Sequence, residues 1–409
     1  MDAFESRDVI SALLAVGLLV AVFVGFNIGG SSTGVAFGPA VGSNTVSKFG
    51  AAVLMTVFAL LGGWTVGRQV IETMGGRIVP SSLFTIEASI GVLFFIGFAL
   101  FLSNVVGVPA STSMTAVGAI AGLGLARGTL AWDVLGRIVT WWIVSPIVAF
   151  WVSGVIGRYF YPRLVEWFAV TQTEGSLIVL DRSGTLPRPA LGPSTTTREV
   201  VGTGLVVLIA CYMAFSAGAS NVANAVAPLV GNDSITIEQG VLLGAGAIGL
   251  GAFTIARRTL DTVGNDLTEL PLLAALVVAV VSASLVTFLS ALGIPASFVI
   301  IATMSIVGLG WGRATRTTTI SQTVTGEDTP DVSVGALAAE SEDAPTVGGG
   351  GQSTPTPGRR KPIGEEESGD IPKAADLFEP KTTARVILLQ NFVPSIATVA
   401  AYVVFRFAL

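Results

Sequence analysis

Apolar residues run in long blocks along this chain, and the blocks are separated by stretches rich in glycine, proline, serine and threonine. The blocks lie near 9–28, 49–67, 84–106, 137–157, 200–217, 239–255, 271–293 and 385–408. Several span about 18 residues or more with few charges, roughly what an α-helix needs to cross ~30 Å of hydrocarbon. No ten-residue alternation of a membrane barrel occurs, so the pattern predicts spanning helices. Four small-residue stretches stand out: 29–43, 107–126, 218–232 and 294–312.

These stretches come in pairs. "GGSSTGVAFGPAVGS" (29–43) lies over "GASNVANAVAPLVGN" (218–232) without a gap, matching Gly29 with Gly218, Ser31 with Ser220 and Pro39 with Pro228 at an offset of 189. "GVPASTSMTAVGAIAGLG" (107–124) lies over "GIPASFVIIATMSIVGLG" (293–310) at 186, and "RIVTWWIVSPIVA" (137–149) over "RVILLQNFVPSIA" (385–397) at 248. The block order is the same in both halves. The chain therefore reads as a duplication of about 150 residues, with a long insertion before the last helix of the second copy. Matching Gly/Pro-interrupted segments in two halves point to a secondary transporter's binding site.

The expected organisation is a first transmembrane repeat at 1–157, a Pro/Ser/Thr-rich linker at 158–199, a second repeat at 200–312, an acidic disordered loop at 313–384 and a last helix at 385–409. Composition agrees: 51% of residues are hydrophobic and 12% charged, and the mean hydropathy is +0.76, far above a soluble domain. The fold class read here is an all-α polytopic membrane protein of two inverted repeats with interrupted helices and re-entrant hairpins, in the cell membrane. Residues 321–383 carry twelve acidic against five basic side chains, a balance of −7 beside −5 for the whole chain. The acidic N-terminus is not read as a signal peptide.

Histidine is absent and Cys211 is the single cysteine. No cofactor, haem, zinc site, disulfide or histidine-based catalysis is expected, and the chain is not read as an enzyme. Short basic pairs exclude a nucleic-acid surface. Glu87, Arg137 and Arg385 sit near helix starts and read as interfacial side chains.

A helix that stops inside the membrane exposes amides at its start, which suit anions, and carbonyls at its end, which suit cations. The stretch 29–43 is accordingly expected to unwind helix one. The competing reading is close helix packing through small residues. Pro109 and Pro295 are expected at the first positions of half-helices, with Ser111, Thr112 and Ser113 in the first turn. The second copy keeps Ser297 but carries Phe298 and Val299, so polar coordination should lean toward the first hairpin.

The duplicated blocks resemble the inorganic phosphate transporter family, which includes sulfate permeases. Its two copies of a G-A-N-D-V-A-N segment are similar to "GGSSTGVAFGPAVGS" and "GASNVANAVAPLVGN", and its G-(L/I)-P-V-S-T-T-H hairpins to "GVPASTSM" and "GIPASFVI". "WWIVSP" (141–146) also looks like the helix after the family's first hairpin. The resemblance implies uptake of inorganic phosphate coupled to sodium or protons, at Ser31, Ser32, Thr33, Ser111, Thr112, Ser113, Ser220, Asn221, Asn224 and Ser297. Both family aspartates are missing. Ser32 and Asn221 hold their places on the ungapped alignment, whereas another register puts Asn27 and Ile28 on the first motif. A sodium site near Ser32 and Asn221 then rests on neutral oxygens. The alternatives are a sulfate permease, or an uncoupled anion channel or sensor. Phosphate or sulfate and the lipid bilayer are the expected partners; a homo-oligomer is left open.

Overall fold

The computed structural model describes residues 2–43, 45–106, 111–167, 178–181, 188–191, 197–254, 272–315 and 380–407. The first half contains α1 (Asp2–Gly42), α2 (Lys48–Thr65), the short α3 (Gly67–Glu72), α4 (Ile86–Val106), α5 (Thr112–Arg127) and α6 (Trp132–Val155). A π-helical turn at Ile156–Phe160 carries α6 into α7 (Tyr161–Trp167). Strands β1 (Ile178–Asp181) and β2 (Arg188–Leu191) form an antiparallel pair, the strand content among the described residues. The second half contains α8 (Thr197–Gly231), α9 (Ile237–Thr254), α10 (Leu272–Ala291), α11 (Phe298–Ala314) and α12 (Pro380–Phe407).

Among the described residues, seven helices are long and apolar enough to cross a membrane: Ser11–Gly42, Lys48–Thr65, Ile86–Val105, Trp132–Val165, Val200–Gly231, Ile237–Thr254 and Leu272–Ala291. They coincide with the first seven apolar blocks of the sequence. The eighth block falls on α12, whose apolar part, Phe392–Phe407, is shorter. The protein is a multi-pass helical membrane protein. Large apolar side chains such as Leu19, Phe49, Val105 and Leu208 point outward to lipid, while Asn27, Ser111, Ser220, Asn221 and Asn224 are buried inside the bundle. That is the distribution hydrocarbon enforces, since it offers polar groups no partner.

The expectation of interrupted helices is corrected at α1 and α8. Both stay helical through the small-residue stretch, α1 for 41 residues and α8 for 35. Serine and threonine in α1 return their protons to their own helix: Ser31 Oγ donates to the Ile28 carbonyl at 3.1 Å and Thr33 Oγ1 to the Gly29 carbonyl at 2.7 Å. These two hydroxyls therefore do not compete with the helix for backbone partners. Pro39 and Pro228 sit inside the helices. Each lacks an amide, and so frees the carbonyl four residues earlier, at Val35 and Asn224, without ending the helix.

The glycines serve close approach instead. A Cβ at Gly29 would collide with the carbonyl of Ile248, and one at Gly218 with the carbonyl of Ala59. The two contacts are equivalent, because 218 − 29 and 248 − 59 are both 189. Gly62 on Phe215 and Gly251 on Phe26 repeat the exchange at 189; Gly122 on Thr398 and Gly308 on Phe150 repeat it at 186 and 248. When residue i meets j′ and i′ meets j, an approximate two-fold relates the halves. All three sequence offsets recur in space. The ungapped register is therefore the structural one, and it pairs Ser32 with Asn221 and Val35 with Asn224.

α1 packs on α9 and α2 on α8, while α5 packs on α12 and α11 on α6, so each half is completed by the other. α1 and α8 also touch, running in opposite directions: Gly17 lies against Leu229, and Ser31 to Val35 lie near Met213 and Ala217. The region where they cross holds the site.

Candidate functional site

Between α1, α8 and the starts of α5 and α11 lies a cavity of about 60 Å³. One water needs ~10–15 Å³ on this measure, so about four oxygen-sized groups fit. The lining is Ser31, Ser32, Val35 and Ala36 from α1, Ser111 and Thr112 from the first hairpin, Met213, Ala217 and Asn221 from α8, and Ser297, Phe298 and Val299 from the second. Among the described residues, no charged side chain lines it.

Two helices begin at this cavity. Ser111 caps α5, its Oγ accepting from Met114 N at 3.3 Å, and Ser297 caps α11, accepting from Ile300 N at 3.5 Å. The amides of Thr112, Ser113, Phe298 and Val299 precede the first intrahelical bonds, Thr115 N to the Ser111 carbonyl and Ile301 N to the Ser297 carbonyl. They remain available to a ligand. Each N-terminus carries roughly +0.5 charge, so together they present an anion with about one unit of positive charge and no competing carboxylate. Pro295, expected from the sequence to begin α11, instead stands two residues before the Ser297 cap. The serine sets the helix start because its hydroxyl closes the first turn. Pro109 lies outside the described residues.

The side-chain donors fall into two groups. Asn221, which lines the cavity, spends its Oδ1 on Thr112 Oγ1–H at 2.6 Å and on Asn224 Nδ2–H at 3.1 Å, leaving its own Nδ2 without a hydrogen bond among the described residues. Ser32 has no side-chain hydrogen bond among the described residues, and the Ser111 and Ser297 hydroxyls have accepted a bond without giving one. Behind the wall, Ser113 Oγ meets Ser220 Oγ at 3.3 Å, Asn224 Nδ2 donates to Ser113 Oγ at 3.3 Å, and Ser220 Oγ donates to the Ala296 carbonyl at 3.1 Å. This network ties the two hairpins together through α8.

Six of the ten sequence candidates therefore line the cavity: Ser31, Ser32, Ser111, Thr112, Asn221 and Ser297. Ser113, Ser220 and Asn224 buttress it from behind. Thr33 is placed elsewhere, wholly buried on its own helix. The polar lining leans toward the first hairpin, since Thr112 has Phe298 as its counterpart.

Sequence reading missed three features. The cavity has an apolar side, with Met213 and Phe298. Asn104 Nδ2 bonds the Asn27 carbonyl and Oδ1 at 3.2 and 3.1 Å, fixing α4 against α1 beside Ser31. Trp142 Nε1 donates to the Pro295 carbonyl at 2.7 Å and holds the second hairpin from α6 of the first half. The "WWIVSP" block was the available signal for Trp142; the asparagine pair had none.

Residues 28–327 match the phosphate transporter family, and this span contains every residue that lines the cavity, from Ser31 to Val299. The chain belongs to that family. It is similar to the sulfate permease CysP of Bacillus subtilis (strain 168), 29% identical over 298 residues that cover 72% of this chain and 77% of that protein. A solved structure titled "The sodium-dependent phosphate transporter" superposes with a TM-score of 0.63 at 19% identity, covering 97% of this chain and all of that one. At that identity the likeness concerns the fold. A member of the phosphate transporter family with seven long apolar helices among its described residues is a multi-pass membrane protein, and its central cavity is the natural place to seek a substrate.

Proposed function

We propose that this protein is a secondary transporter that moves inorganic phosphate across the membrane, with the cavity between α1, α8 and the two hairpin tips as its substrate site. The observation that carries this reading is the convergence of two helix N-termini on one uncharged cavity. Unspent donors at Ser32, Ser111, Asn221 Nδ2 and Ser297 complete a shell around an anion. Burying a tetrahedral oxyanion means replacing its water with such fixed donors. Alternating access follows from the two-fold exchange: we take the halves as inverted, so that one arrangement opens the cavity to each side in turn.

Sodium is the proposed coupling ion. Asn224 Oδ1 is buried without a hydrogen-bond partner, on an amide whose nitrogen bonds Asn221 Oδ1 and Ser113 Oγ, the latter reaching on to Ser220 Oγ and the Ala296 carbonyl. Pro228 also frees the Asn224 backbone carbonyl. A cluster of neutral oxygens with one orphan acceptor fits a hard monovalent cation. Val35 stands where the first half would need its asparagine, and Ser32 where it would need a carboxamide, so one cluster forms and not two. No enzymatic role is proposed: the cavity holds no base to activate its serines.

A sulfate permease is the second reading, favoured by the similarity to CysP. Uptake of radiolabelled phosphate into proteoliposomes, with sulfate as competitor and with or without an imposed sodium or proton gradient, tests the whole account. Accumulation of phosphate that needs the sodium gradient supports it. Accumulation of sulfate alone moves the protein to the second reading, and flux that only follows the anion's own gradient removes the coupling.

A further inference from the structure

Resting on the reading of the cavity as an oxyanion site, we propose that Thr112 is the specificity-determining residue that recognises the proton of phosphate and so separates it from sulfate. Sulfate at neutral pH carries four oxygens that only accept. Phosphate keeps at least one P–O–H, which requires an acceptor. Most of the polar lining donates.

Thr112 is locked the other way. Its Oγ1 lies 2.6 Å from Asn221 Oδ1, a separation that belongs to O–H···O bonds and is shorter than the N–H···O range. The oxygen of the Asn221 amide therefore faces Thr112, and the threonine proton is committed to it. Asn224 Nδ2, 3.1 Å from the same oxygen, holds the amide in that orientation. What Thr112 Oγ1 offers the cavity is lone pairs. Ser31 also gives its proton away, but to the carbonyls of its own helix at 3.1 and 3.3 Å, longer bonds that the hydroxyl can release by rotation.

The second half has no copy of this device, because Phe298 stands at the equivalent place. Among the side-chain hydroxyls that line the cavity, Thr112 Oγ1 is then the one whose proton is committed to another side chain and which is fixed as an acceptor, and this matches phosphate with a single P–O–H. A protonated oxygen facing only donors is left unpaired, and a fixed acceptor facing an unprotonated oxygen is repelled.

The test is competitive uptake of labelled phosphate and labelled sulfate by full-length protein in proteoliposomes, comparing wild type with Thr112→Val and Thr112→Ser. The wild type should favour phosphate. Thr112→Val, which keeps the shape and removes the acceptor, should lower the phosphate-to-sulfate ratio at least about tenfold, and Thr112→Ser should retain it. Loss of both anions in equal proportion in Thr112→Val would show a structural role only and overturn the proposal. A wild type that prefers sulfate overturns it without any variant and leaves the oxyanion site standing. A wild type that carries neither anion removes the underlying reading with it.

Discussion

Thr112 at the start of α5 donates its hydroxyl proton to Asn221 Oδ1 in the middle of α8, at 2.6 Å. That bond joins the first hairpin to the second half of the protein. Through Asn224, Ser113 and Ser220 it continues to the Ala296 carbonyl at the tip of the second hairpin. The substrate cavity and the proposed cation cluster thus share one residue, Asn221, which lines the first and whose oxygen accepts from Asn224 of the second.

That sharing separates two roles by side. Asn224→Ala removes the orphan oxygen together with the Nδ2 bonds to Asn221 Oδ1 and Ser113 Oγ, from a residue that does not itself line the cavity. Sodium dependence of uptake is expected to disappear while phosphate still moves down its own gradient. Flux measured across a sodium titration checks this, and an unchanged sodium response would refute the assigned cluster.

Ser111 and Ser297 each cap a helix that begins at the cavity. Replacing either by alanine should cost about 0.5–2 kcal/mol of stability and raise the KM for phosphate several-fold, because the same hydroxyl faces the ligand. Melting in detergent and uptake kinetics read the two effects separately. A stability loss with unchanged KM would leave capping as the only role.

Equivalent glycines should fail equivalently. Gly29→Val and Gly218→Val each force a side chain onto a carbonyl of the partner helix, Ile248 or Ala59. Both should destabilise by about 1–3 kcal/mol or more, and by similar amounts, as the two-fold exchange requires. Melting temperatures of the pair test it, with Gly204→Val as control, since a Cβ there meets nothing within 4 Å.

Trp142 supports the second hairpin from outside the cavity. Trp142→Phe removes its bond to the Pro295 carbonyl while keeping an aromatic ring. It should lower the maximal uptake rate more than it changes KM, because the bond positions the hairpin and does not meet the ligand. A shift confined to KM would place Trp142 in the binding shell instead.

Much of this was legible in the chain. Hydrocarbon admits few solutions, so the apolar blocks gave seven spans directly, and the duplicated glycines gave a two-fold that the contacts Gly29–Ile248 and Gly218–Ala59 repeat. The serines of 29–43 misled because a helix can satisfy a hydroxyl with its own carbonyl, as Thr33 does, and sequence does not say which partner wins. Asn104 meeting Asn27, and Trp142 meeting Pro295, depend on how distant helices cross, which no local pattern encodes. Met213 comes to the cavity through the same kind of long-range crossing.

The central claim is that one tetrahedral oxyanion sits between the two hairpin tips. The most direct measurement is a crystal structure of the protein soaked with tungstate, a tetrahedral oxyanion visible by its anomalous scattering. A single strong peak within hydrogen-bonding distance of Ser32, Ser111, Asn221 Nδ2 and Ser297 is the predicted result. A peak elsewhere, with this cavity empty of the anion, would contradict the account.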